Sequence, residues 1–142
     1  MKIFSFLFFA FLFFSNNAQS NEISKVVIQN ENSSSISILA EVMITESQQA
    51  RGMMYRKSLD KDKGMLFLFN EPKRAVFWMK NTYIPLDLIF IKKGGGIDSI
   101  HENLEPLSTK KIKSRNDVIA VLEISGGLVK INKINLDSKI FF

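Results

Sequence analysis

Two carboxylates in this 142-residue chain stand where carboxylates are costly. Asp87 lies between Leu86 and Leu88, and Glu123 between Leu122 and Ile124. A charge inside such an apolar run must be paired and hydrogen-bonded, or it must be given up. Two chemistries would satisfy that rule. Arg51 or Arg56 can pair with Asp87, and a bidentate arginine–carboxylate contact would staple a helix to a sheet. Alternatively Asp87 and Glu123 face one cavity and form the carboxylate pair of an acid–base hydrolase.

Other residues suggest binding rather than catalysis. Trp78 is the only tryptophan and, in alternating strand geometry, points away from Met79, so one enters the core and the other lines what lies outside. An exposed Trp78 makes a stacking platform for a planar or sugar ligand. Asn81 and Thr82 precede Pro85, where their side chains either cap turn backbone or project donors and acceptors into a cleft beside Trp78. His101 is the only histidine and there is no cysteine, so an ordinary zinc site and the common nucleophile–base pairs lack players. A soft Cu(I) site remains conceivable, with thioethers from Met53, Met54, Met65 or Met79 beside His101. The bland alternative is that these methionines fill the core. Gly94-Gly95-Gly96 lacks the lysine and helix of a phosphate-binding loop.

The elements that must position these groups are mostly strands. Ile36 to Ile44 alternate with period two, which predicts a half-buried strand. Thr45 with Gln48 three residues on is a capping box and predicts a helix over 46–51 that Gly52 closes. Met65 to Phe69 reads as a buried strand. Asn70 to Lys73 reads as a tight turn around Pro72, returning through a strand at 75–79 to make a hairpin. Leu86 to Ile91 and Ile97 to Glu102 flank the three glycines as a second hairpin. Residues 103–117 read as a long loop, followed by a strand at 118–124, a short helix from Leu128 and a last strand from Ser138. About eight strands and two short helices predict a mainly β, single compact antiparallel barrel or sandwich.

The first twenty residues stand apart. Met1-Lys2, an apolar stretch from Ile3 to Phe14 and a small polar run to Ser20 have the layout of a secretory signal peptide. Cleavage after Ala18 or Ser20 would leave 21–142 as one domain. The apolar stretch is short for a membrane span, and no other long hydrophobic segment follows. The whole chain carries a formal charge of +5, with excess concentrated at Lys110, Lys111, Lys113 and Arg115. In an exported protein that run reads as a solvated loop rather than a nucleic-acid contact.

Arg51-Gly52-Met53-Met54-Tyr55-Arg56, Gly64-Met65-Leu66-Phe67, Phe77-Trp78-Met79-Lys80-Asn81-Thr82, Ile84-Pro85-Leu86-Asp87 and Val121-Leu122-Glu123 occur in this order. Through them the chain resembles the DUF192 family of small prokaryotic proteins, from about Ile36 to the C-terminus. The resemblance implies a mainly β single domain without an established biochemical role. The expected function is therefore that of an exported, periplasmic or secreted, non-enzymatic domain that binds a small molecule, glycan or peptide without a cofactor. Its expected site comprises Arg51, Trp78, Asn81, Thr82, Asp87 and Glu123. The alternatives are a hydrolase using Asp87 and Glu123, and a Cu(I) protein using the methionines and His101.

Overall fold

A computed structural model describes residues 21–142; the expected leader at 1–20 lies outside the described residues. The first hairpin joins β1 (Ile23–Gln29) to β2 (Ser35–Met43), antiparallel from Ile23↔Glu41 to Gln29↔Ser35. The turn between them is tightened by Asn30 and Asn32, whose side chains bond Ser34. β2 then leads to α1 (Glu46–Arg51). Its capping box forms as the spacing predicts: Gln48 N donates to Thr45 Oγ1 at 3.2 Å and Thr45 N donates to Gln48 Oε1 at 2.9 Å. Gly52 ends the helix at φ +47° with Phe67 Cζ only 3.2 Å from where a Cβ would stand. A left-handed, closely packed position of this kind favours glycine.

The crossover through α1 returns the chain parallel to β2 as β3 (Lys63–Lys73). β3 also pairs antiparallel with β8 (Val118–Ser125) on its other edge. β8 in turn pairs with β5 (Leu86–Ile91), and β5 with β6 (Ile97–Leu104). With β9 (Lys139–Phe141) against β1, the sheet order is β6-β5-β8-β3-β2-β1-β9. The sheet curls until its ends approach: Gly96 and Lys139 form an isolated bridge, and Ile140 N donates to Gly95 O at 2.9 Å. The architecture is thus mainly β with two short helices, a curled half-barrel plus a small second sheet.

Two local expectations are corrected. The predicted tight turn at 70–73 is strand instead. β3 runs on through Pro72, because a register irregularity between Leu68 and Lys73 accommodates a residue that cannot donate to the ladder. The predicted hairpin of 65–69 with 75–79 does not form either. Both edges of β3 are already occupied, so β4 (Val76–Phe77) pairs with β7 (Ile112–Lys113) in the small sheet. That pairing also puts a strand inside the stretch read as loop.

Alternation divides the residues between the two faces of the large sheet. On one face, inside the curl, Val26, Ile38, Leu66, Ile89, Leu122 and Ile124 form one core. α2 (Leu128–Ile131) covers it with Leu128 and Val129. On the other face Met43, Met65, Phe67, Leu88, Phe90 and Val121 form a second core. The chain after α1, including Met53, and the segment containing Ala75, Phe77 and Met79 close over it. β5 is consequently buried at all six positions.

Asp87 lies on the first face, fully buried. It is not paired with Arg51 or Arg56, which corrects the staple expected from the sequence. Its carboxylate instead accepts from three backbone amides: Asn103 N at 2.6 Å, Gly127 N at 3.0 Å and Val129 N at 2.8 Å. Gly127, the cap of α2, has no side chain of its own to offer, so Asp87 caps that helix from another strand. Charge-assisted bonds of this kind are the strong ones. Asp87→Ala would leave these amides without their acceptor. We expect a loss of about 3–5 kcal/mol in chemical denaturation. In a double-mutant cycle with Arg51→Ala the losses should add; strong coupling between the two would show that an arginine supports Asp87 after all.

Candidate functional site

The second face carries the candidate site. Glu123 is cross-strand from Met65 on β3 and from Leu88 on β5, whereas Asp87 is cross-strand from Ile124. Neighbouring residues on a strand point to opposite faces. Asp87 and Glu123 are therefore on opposite sides of the sheet and cannot share a reacting atom. The hydrolase alternative loses its carboxylate pair for this reason.

Glu123 is 5 % exposed, and its Oε2 has no hydrogen-bond partner. Burial pushes its pKa up to about 8, with the Arg56 guanidinium pulling weakly the other way. Arg56 is committed elsewhere. It forms a two-pronged pair with Glu41, through Nη1 to Oε1 and through Nη2 to Oε2 at 2.8 Å. That hydrogen-bonded pair lowers the Glu41 pKa. At neutral pH Glu123 is thus a carboxylic acid, able to donate one hydrogen bond and accept others.

Above Glu123 opens a cavity of about 520 Å³. The last turn of α1 and its exit contribute Gln49 to Met54, and β3 contributes Phe67. Lys73 to Trp78 form another wall, and Lys80, Thr82 and Lys111 complete the lining. Met53, Phe67, Ala75 and Phe77 belong to the second core, so the walls are extensions of it. The Phe67 and Phe77 rings meet edge to face at 4.9 Å, a favoured aromatic geometry. Five cationic residues line the cavity, against Glu123 as its one carboxylate.

The residues singled out from the sequence are divided by this geometry. Arg51, Trp78, Thr82 and Glu123 line the cavity. Trp78 is 43 % exposed while Met79 is buried, the opposition that alternation predicts, and Lys80 Nζ lies 5.0 Å from the Trp78 ring centre. Thr82 contributes its hydroxyl to the turn, donating to Lys80 O at 3.1 Å. Asn81 adopts φ +52° and donates from Nδ2 to Tyr55 Oη at 2.9 Å, while its carbonyl accepts from Tyr55 N at 2.8 Å. It ties the turn to the segment after α1 and does not line the cavity. Asp87 faces away altogether.

Met53, Met65 and Met79 are packed in the second core, and Met54 accepts a long contact from Asn81 Nδ2 at 3.9 Å. The His101 ring lies edge-on to Phe90, with centroids 5.5 Å apart. Its buried Nε2 has no partner, and burial lowers its pKa. No three His, Asp or Glu side chains converge on a common point among the described residues. Among the lining residues that the sequence reading did not assign to a binding site are Phe67, Phe77, Lys73, Arg74 and Lys111. Their one signal was the density of cations around the apolar segments.

The DUF192 family profile, described as "Uncharacterized ACR, COG1430", matches residues 26–142. No curated protein matches the chain. Among solved structures, a Sinorhizobium meliloti 1021 protein described as a candidate transcription regulator is 37% identical, with a TM-score of 0.84. That similarity covers 86% of this chain and 95% of the other. A protein of unknown function from Novosphingobium aromaticivorans DSM 12444 is 32% identical over 89% of each chain, also with a TM-score of 0.84.

The state of Glu123 is open to measurement. Its folded pKa of about 8 exceeds the unfolded value of 4.5, so the folded protein holds a proton that the unfolded chain releases. Stability should be highest below pH 4.5 as far as this group is concerned, fall as pH rises towards 8, and level off above. The slope should approach about 1.4 kcal/mol per pH unit. The useful window is pH 6.5 to 8, because the lowered His101 pKa tilts the curve oppositely below 6.5. Denaturation of Glu123→Gln across that window should show the slope abolished; an unchanged slope would mean that Glu123 is ionised in the folded protein.

Proposed function

Because this chain belongs to the DUF192 family, whose profile spans nearly all its described residues, we propose a function that the site rather than the family supplies. The protein binds a small molecule in the cavity above Glu123 and does not transform it. After removal of the leader at 1–20, it acts outside the cytoplasm, in the periplasm or secreted.

The observation that carries this reading is the unpartnered Glu123 carboxyl at a concave, largely apolar cavity. A cavity of roughly 300–1,000 Å³ with a few convergent polar groups is the usual form of a small-molecule site. A buried carboxyl without a partner costs about 1–3 kcal/mol, and a ligand that supplies the partner recovers it. Catalysis is less well supported. Glu123 has no second carboxylate within its cavity, since Asp87 is across the sheet, and the lysines that line it are exposed at its mouth. Glycan and peptide ligands remain within the same reading, with Trp78 at the lining as a stacking surface.

The description of the Sinorhizobium relative raises nucleic acid as a partner. The small sheet offers two-residue strands, about 7 Å long. A ribbon that reads the major groove must reach across about 12 Å. The cations that line the cavity surround a concavity rather than a convex reading element.

A thermal-shift screen of residues 21–142 against anionic, cationic and neutral small molecules, glycans and short peptides tests the proposal. Trp78, the sole tryptophan, reports occupancy by its fluorescence. At least one class should raise the melting temperature and shift Trp78 emission together, and the compound should be recovered unchanged. If no class does both, or if the compound is turned over, the reading fails.

A further inference from the structure

The charge pattern of the cavity narrows its occupant. Resting on the small-molecule reading above, we propose that the ligand is a free anionic amphiphile. A carboxylate or phosphate head lies among the cations, an apolar body lies along the walls, and a neutral oxygen at the far end meets Glu123.

Arg51, Lys73, Arg74, Lys80 and Lys111 are all exposed cavity-lining cations. Of these five, only Arg74 has an ion-pair partner among the described residues, Asp117 at 3.8 Å, and both members are largely solvated. Such an exposed pair holds its charge weakly. Two of the cations lie over aromatic faces: Lys80 Nζ 5.0 Å from the ring centre of Trp78, which lines the cavity, and Lys73 Nζ 4.2 Å from that of Phe69, which does not. A concave surface lined by one sign of charge focuses potential and concentrates ions of the other sign. An anion is what this mouth attracts.

The walls and the buried end exclude a simple anion as the whole ligand. Met53, Phe67, Ala75 and Phe77 offer no hydrogen-bonding side chain, and the cations are exposed whereas the Glu123 carboxyl is nine-tenths buried. A second negative group pressed against Glu123 would meet a buried carboxyl that has no donor beyond its single O–H to offer a charge. A neutral hydroxyl or carbonyl oxygen instead accepts a hydrogen bond from the carboxyl O–H and satisfies the orphaned group. The two ends of the cavity therefore read opposite ends of one molecule. The same head and chain occur in bilayer lipids, so the source must be distinguished by experiment.

The probes are ω-hydroxydecanoate, decanoate, decanediol and ω-hydroxydecyl-trimethylammonium, each below its micellar concentration, titrated against residues 21–142 by Trp78 fluorescence. ω-Hydroxydecanoate should bind about tenfold or more tightly than the ammonium or diol analogue, a difference of about 1.4 kcal/mol. Charge reversal at the exposed positions, Lys80→Glu with Lys111→Glu, should abolish that preference. Glu123→Leu should erase the advantage of ω-hydroxydecanoate over decanoate, while Glu123→Gln, which keeps a donor and an acceptor, should retain it. Circular dichroism verifies that each variant is folded. Equal or tighter binding of the ammonium, indifference to charge reversal, or association only with anionic phospholipid vesicles would overturn the proposal. If these amphiphiles fail while other compounds in the thermal-shift screen bind, the ligand class falls and the small-molecule site stands.

Discussion

A charge in the middle of a sheet that is covered on both faces must be met by the chain itself, and Asp87 shows how this fold does so. Its carboxylate receives amides from the end of β6, from the cap of α2 and from within α2. Asn103 and the 127–129 segment are far apart in sequence, and Asp87 joins them at one carboxylate. α2 has only four residues and no local side-chain cap, so it would be marginal alone. Fixed by Asp87, it lays Leu128 and Val129 over the first core. Asp98 repeats the device at smaller scale, accepting from Arg115 N at 2.7 Å and Asn116 N at 3.0 Å. Burial alone would raise its pKa, but the bonds from Asn116, Arg115 and Ser99 outweigh burial and lower it. In both places a buried aspartate on a strand accepts from backbone amides of a segment later in the chain.

Glu123 is the informative contrast. It is one register position from the partner of Asp87, equally deep, and on the opposite face. No amides turn towards its Oε2, and the nearest arginine is engaged by Glu41. The difference in side-chain length matters here. Asp87 is short enough to stay against the backbone that supplies donors, whereas Glu123 projects into an apolar layer where there are none. The sheet therefore carries one carboxylate that organises the fold and one that the fold leaves unsatisfied. A buried polar group that contributes nothing to packing is a liability for stability. Its position beneath a cavity is the observation on which the proposed binding role rests.

Much of the architecture was legible because it rests on local rules. The period-two run of β2, the capping box at Thr45 and the glycine turn before Ile97 each follow from neighbours in sequence. The insertion of β8 between β3 and β5, and the pairing of β4 with β7, depend on long-range edge availability, which periodicity does not encode. The site was half legible for the same reason. Asp87 and Glu123 were both recognisable as misplaced charges. Yet their separation depends on register, Asp87↔Ile124 and Leu88↔Glu123, and a shift of one position would have put them together. The arginine expected beside Asp87 had no such constraint on which face it could reach. Arg56 met Glu41 instead, on the face that Met65 and Glu123 share.

The break before Pro85 has a logic of its own. Three non-glycine residues with left-handed backbone, Tyr55 at φ +65°, Asn81 at +52° and Leu107 at +66°, meet there. Each such residue costs about 1–2 kcal/mol, so their gathering must be held by something. Backbone bonds from Tyr55 N to Asn81 O and from Leu107 N to Thr82 O lock the three segments together at 2.8 and 3.0 Å. The strain accompanies a reversal of facing: Met79 enters the core while Trp78 and Tyr83 remain half exposed. A relaxed strand through 78–83 would carry Thr82 and Lys80 onward along the small sheet instead of folding them back over the second core. The strained junction thus holds Lys80 and Thr82 where they complete the lining of the cavity above Glu123.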